Sequence, residues 1–226
     1  MTIADKLRFA VGDRGDVSAL FLRPPKAQRL LVLAHGAGAG MSHPFMQKLS
    51  DELAGVGVAT FRYQFPYMEE RRRVPDPPAV LTATVVAAVR AASDAAPGLP
   101  LLAGGKSMGG RMTSQAAAQQ PLEVRGIVFF GFPLHPPNKP GTKRADHLPR
   151  VTIPMLFLQG TRDALADLQL LRPICAKLAS RVTLHIIEGA DHSFHMLKSS
   201  GRTDEQVLQE LAGTAASWAG TIKDAD

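Results

Sequence analysis

The chain has 226 residues, with 26 Lys and Arg against 20 Asp and Glu, a net charge of +6, and 45% hydrophobic residues. That balance is globular, with enough apolar material for a sizeable core, and the length suits one domain over residues 1–226. The lone cysteine, Cys175, excludes an internal disulfide, and no Cys/His spacing resembles a zinc site.

The opening segment MTIADKLRFAVGDRGD carries charges throughout and has no apolar core of a signal peptide. No apolar run approaches the roughly 18 residues of a membrane span, so a cytoplasmic protein without membrane contact is expected. DVSALFLRP (16–24) reads as an antiparallel edge strand. RLLVLAHGAGAG (29–40) reads as a buried strand running into a glycine-rich loop. In HPFMQKLSDELAGVG (43–57), Phe45, Met46, Leu49 and Leu53 share a helical face, with Pro44 in the first turn and Gly55 at the stop. VATFRYQFP (58–66) is the next strand, and residues 77–98 form a long helix opened by proline. The basic run Arg71-Arg72-Arg73 directly follows Glu69-Glu70 and reads as a solvated loop. No nucleic-acid-binding motif accompanies it.

LPLLAGGKS (99–107) is a strand and MGGRMTSQAAAQQ (108–120) its following helix. VRGIVFFGFPL and IPMLFLQGTRD are further strands, and 164–179 is a helix disturbed at Pro173. Between them, the proline-rich segment 132–154 reads as a long surface loop. RVTLHIIEGADHSF is a strand entering a loop, and 203–223 is the closing amphipathic helix. Almost wholly apolar strands alternating with helices imply a mostly parallel sheet covered on both faces.

Gly105-Lys106-Ser107-Met108-Gly109 matches G-x-S-x-G, with a strand before it and a helix after it. A serine projected from so sharp a turn takes a strained backbone, and glycines two residues either side let the turn close. A serine hydroxyl needs a base, and the base needs an orienting acid. Asp163 and His192 follow in that order, each at the end of an apolar strand. His195 is the rival base; Asp191 is a turn residue, Asp167 lies inside the following helix, and His185 is structural. The Met108 N–H, at a helix start, and the Ala37 N–H, with Gly38 as second choice, are the expected oxyanion donors. His35 shapes the loop that carries Ala37. Phe132, Leu134 and His135 are expected to border the substrate, and Lys106 is expected to point away into a structural contact rather than to attract anions.

HGAGAGMSHPFM, GGKSMGGR, GFPLHPPNKP and GADHSF together resemble the α/β-hydrolase superfamily. Within it the chain is similar to a compact branch related to dienelactone hydrolases, a branch that includes a hydrolase-like domain of a human chromatin-complex subunit. The resemblance implies a Ser-Asp-His triad at Ser107, Asp163 and His192, an α/β-hydrolase fold, and no large helical cap. Dienelactone hydrolases use cysteine where this chain has Ser107, which moves the expectation toward ordinary carboxylic esters. The expectation is therefore a serine hydrolase acting on a small-molecule ester, as monomer or homodimer, with no cofactor, metal or nucleic acid. The alternatives are a thioesterase or peptidase with the same triad, or a non-catalytic interaction module using Arg71 to Arg73.

Overall fold

The computed structural model describes residues 3–222. Residues 1–2 and 223–226 of the expected domain, including the last residue of the predicted closing helix, lie outside the described residues. The chain runs β1 (Asp5–Ala10), β2 (Asp16–Leu22), β3 (Arg29–Ala34), α1 (Pro44–Gly55), β4 (Val58–Tyr63), α2 (Pro66–Glu69) and α3 (Pro78–Ala95). It continues through β5 (Leu101–Lys106), α4 (Met108–Gln119), β6 (Ile127–Phe130), β7 (Met155–Gly160), α5 (Leu168–Lys177), β8 (Val182–Ile187) and α6 (Asp204–Thr221).

One eight-stranded sheet has the order β1-β2-β4-β3-β5-β6-β7-β8. Strands β3 to β8 pair in parallel, and β1–β2 and β2–β4 pair antiparallel. The β3 sequence RLLVLA is apolar because both of its faces are covered. Leu31 and Leu33 pack with α1 and α6 residues such as Leu49 and Leu211. Leu30, Val32 and Ala34 pack on the other face with Leu81 and Val85 of α3 and Met112 of α4. A third cluster joins Phe129, Phe132 and Phe157 to Leu171 and Cys175 of α5. Each fully buried side chain of this kind contributes about 2 kcal/mol. Burial also pushes the Cys175 thiol up to about 11, which keeps it an inert apolar filler. Among the described residues no helix is long and apolar enough to cross a membrane.

The chain reverses direction across the sheet between β3, whose neighbours are β4 and β5, and the run β5 to β8. Loops leaving the carboxyl ends of β3 and β5 turn to opposite faces there, and the crevice between them is where open α/β sheets bind ligands. The geometry thus places HGAGAG and GGKSMGG side by side.

Several expectations change. The edge strand is β1, and DVSALFLRP is an inner antiparallel strand beside it. Leu7 and Phe9 alternate with Lys6 and Arg8 in β1 and pack against the core, a half-buried pattern masked by its charges. Segment 132–154 is the expected long loop, but it lies only partly at the surface. It forms two short 3-10 turns, Lys143–Ala145 and Leu148–Arg150, and buries Phe132, Leu134, Leu148 and Val151. Its longest exposed stretch is the tip, around 136–143, with Asp146, Pro149, Arg150 and Thr152 exposed beyond it. Helix α5 starts at Leu168 with Asp167 as its N-cap, accepting from the Gln169 N–H at 2.8 Å, and it continues through Pro173. Asp167 is therefore a cap and not a residue inside the helix.

Candidate active site

Ser107 stands between β5 and α4 with φ 51° and ψ −117°, a left-handed conformation that a serine adopts only under constraint. The constraint comes from close approach to β3. A Cβ at Gly105 would lie 2.4 Å from Ala34 O, and one at Gly109 would lie 2.6 Å from the Ala34 and His35 carbonyls. The two glycines admit the neighbouring strand, rather than each other as the sequence suggested.

The turn points the Ser107 Oγ at His192 Nε2, 2.8 Å away. His192 Nδ1 meets Asp163 Oδ2 at 2.7 Å. Asp163 is buried and is held by two further donors: Gln159 Nε2 to Oδ2 at 2.5 Å and the Leu165 N–H to Oδ1 at 2.8 Å. A carboxylate accepting at Nδ1 leaves the Nε2 lone pair to accept the Ser107 hydroxyl. Three residues separated by up to 85 positions are thus brought into one hydrogen-bonded line.

A cavity of about 330 Å³ opens on this line. Gly36, Ala37 and Ala39 line it from the loop after β3; His43, Phe45 and Met46 from the start of α1; and Leu165 and Ser193 from the opposite loops. Ala37 faces the cavity, while the Gly38 N–H donates to Tyr67 Oη at 3.1 Å and so drops out of competition with it. Met108 opens α4, where backbone N–H groups have no intrahelical acceptor. His35 is fully buried: its Nδ1–H donates to Gly36 O (2.7 Å), and its Nε2 accepts from the Phe65 N–H (3.2 Å). Burial lowers it to about 4, so it stays neutral and braces the loop.

The sequence profile of the alpha/beta hydrolase domain matches residues 27–220. The chain belongs to this family. Among solved structures this hydrolase domain is similar to a dienelactone hydrolase from Anabaena variabilis, with TM-score 0.73 and 21% identity over 99% of each chain. It is also similar to a serine hydrolase without lid from Xanthomonas campestris, with TM-score 0.76 and 19% identity over 100% of this chain and 98% of that one. At these identities the likeness shows the fold, which here likewise carries no large cap. A protein of Mycobacterium tuberculosis named as a putative phosphoribosyl transferase is 27% identical over 199 residues, 86% of this chain and 41% of its own length. The hydrolase domain therefore spans about two fifths of that relative.

The remaining expected site residues fall elsewhere in the hydrolase domain. Phe132, Leu134 and His135 do not line the cavity. Phe132 and Leu134 are buried in the cluster around Phe129 and Phe157. His135 bonds Pro136 O through Nδ1 and accepts from the Asp167 N–H through Nε2. The strand after which they sit turns its apolar side chains into the core, and the Phe132 N–H donates to the buried Gln159 Oε1. His195, the rival base, pairs with Asp204 at the exposed start of α6. Asp191 accepts from the Ser193 and His195 N–H groups as a turn residue, and His185 pairs with Glu210.

Gln159, Leu165, Phe45 and His43 were not anticipated as site residues. Gln159 is a buried amide in an otherwise apolar strand, MLFLQG, and that polarity was the available signal. Lys106 does not point away from the site as expected: it lines the cavity and donates to His192 O at 2.5 Å.

Proposed function

We propose that this domain is a serine hydrolase of carboxylic esters, with Ser107 as nucleophile, His192 as base and Asp163 as its orienting acid. The single observation that carries the reading is the hydrogen-bonded line Ser107–His192–Asp163 opening on a cavity. Ser107 Oγ attacks the ester carbonyl as His192 Nε2 takes its proton. The Ala37 and Met108 N–H groups receive the oxyanion. His192 then passes the proton to the departing alcohol, Asp163 stabilising the imidazolium meanwhile. Water, activated by His192, attacks the acyl-enzyme, releases the acid and restores Ser107.

The cavity, walled by Phe45, Met46 and Leu165 and floored by small residues, suits a short apolar acyl or alcohol group. Labelling with a fluorophosphonate followed by peptide mapping tests the nucleophile, and a panel of p-nitrophenyl esters of rising chain length tests the substrate class. The expected results are a single adduct on Ser107 and rates that fall beyond short acyl chains. An unlabelled Ser107 in the folded protein would overturn the reading.

A further inference from the structure

We propose that Lys106 is a positioning residue for this reaction: its ammonium clasps the backbone of His192 and holds the imidazole in line with Ser107. The proposal rests on the ester-hydrolase reading above. Lys106 ends β5 and is bonded directly to Ser107, yet its Nζ donates to His192 O, 86 positions along the chain. The same Nζ lies over the rings of Phe45 (5.8 Å) and Phe194 (5.4 Å). Those rings stack with centroids 5.9 Å apart at 13°. Phe194 itself has φ 62°, so the loop carrying His192 is held in a conformation it would not keep unaided. One side chain therefore ties together the nucleophile turn, the loop of the base and the first turn of α1.

Gly131 makes room for this contact. A Cβ there would lie 3.2 Å from Lys106 Nζ and 3.5 Å from His192 Nδ1 and Cε1, at φ +74°. By those two distances the ammonium and the ring nitrogen are at most about 7 Å apart. Asp163 from the loop after β7 and Asp191 from the loop after β8 attract the ammonium, and His43 at the N-cap of α1 lines the same cavity. Burial lowers Lys106 to about 8, against those two carboxylates, so it remains largely charged at neutral pH. The bond to the His192 carbonyl keeps the ring aimed at Ser107.

The test compares wild type with K106M, K106Q and K106R, each checked for folding by circular dichroism. Rates of fluorophosphonate labelling of Ser107 are measured, together with kcat and KM on p-nitrophenyl acetate. In K106M and K106Q labelling should slow by about tenfold, as expected when the base loses its alignment with Ser107. In K106R, which still carries a charged donor for the His192 carbonyl, it should stay within about threefold of wild type. K106M should lose kcat by about tenfold with KM within about threefold, the signature of misplaced chemistry rather than weakened binding. Unchanged labelling and kcat in both uncharged variants overturn the role, as does an equal loss in K106R, which would mark a packing effect. Wild-type protein that is folded but fails to label at Ser107 overturns the hydrolase reading itself, and this inference with it. Normal wild-type labelling with unchanged rates in the uncharged variants overturns the role of Lys106 alone.

Discussion

Ser107 and Ser114 lie seven positions apart, one capping α4 and one within it, and each has a histidine Nε2 2.8 Å from its hydroxyl. The proton runs in opposite directions across the two pairs. Asp163 fixes the proton of His192 on Nδ1, so Ser107 donates to Nε2. The Ser114 hydroxyl donates to Arg111 O at 2.9 Å, so His147 Nε2 must be the donor to Ser114. Among the described residues no carboxylate lies in hydrogen-bond range of the His147 ring; burial, with Arg111 and Arg150 nearby, outweighs Asp146 and lowers it to about 4. Ser107 has a strained backbone and an open cavity, whereas Ser114 is fully buried in a regular helix. A Ser–His contact of good length is thus common to a candidate nucleophile and to a structural peg. Proton direction, a supporting carboxylate and access separate them. The peg pins the segment 132–154 to α4.

The largest expected difference is in activity. Ser107→Ala should lower kcat on short p-nitrophenyl esters by about 10⁴-fold, while Ser114→Ala stays within about threefold. Comparable losses in the two would erase the distinction. Next, Asp163→Asn should cost about 10³-fold or more, because an amide can present its N–H to Nδ1 and impose the wrong tautomer. Near-normal kcat in that variant would show that the line is not used as a relay of orientation.

The buried histidines give a stability counterpart. His35 is held at about 4 when folded against 6.5 when unfolded, so between those values the unfolded chain binds the extra proton. Its contribution is fully present above pH 6.5 and is lost as pH falls toward 4, about 3 kcal/mol in all. His147 adds in the same direction. Urea melts across this range should show the decline, and His35→Asn should flatten it; a pH-independent midpoint in wild type would contradict the burial argument. The smallest effects are two. Ser114→Ala should destabilise by about 1 to 2 kcal/mol, from the stranded His147 donor, without touching turnover. Gln159→Leu should reduce kcat by about tenfold by loosening Asp163, with KM little changed. The reverse pattern in either variant would merge the two pairs.

The strand–turn–helix setting of Ser107 and the positions of Asp163 and His192 at strand ends were legible in the chain. Each is a local pattern: an apolar run, a glycine or turn, then a reactive side chain. Edge strand β1 was missed because alternation over six residues was overshadowed by its charges. Phe132, Leu134 and His135 follow β6 closely, but nothing local tells which way a side chain turns after a strand.

Local order and periodicity determine which elements form and which residues stand at their ends, since backbone sterics and apolar spacing act over a few residues. On that basis the sequence alone determined the α/β layering, the Ser107 turn and the order of Ser107, Asp163 and His192. Only the tertiary structure decided that Gln159 and Leu165 hold Asp163, that Phe45 and Met46 wall the cavity, and that Lys106 reaches His192. These contacts join residues far apart in sequence, and they exist only once the sheet brings β5, β7 and β8 to one edge of the crevice.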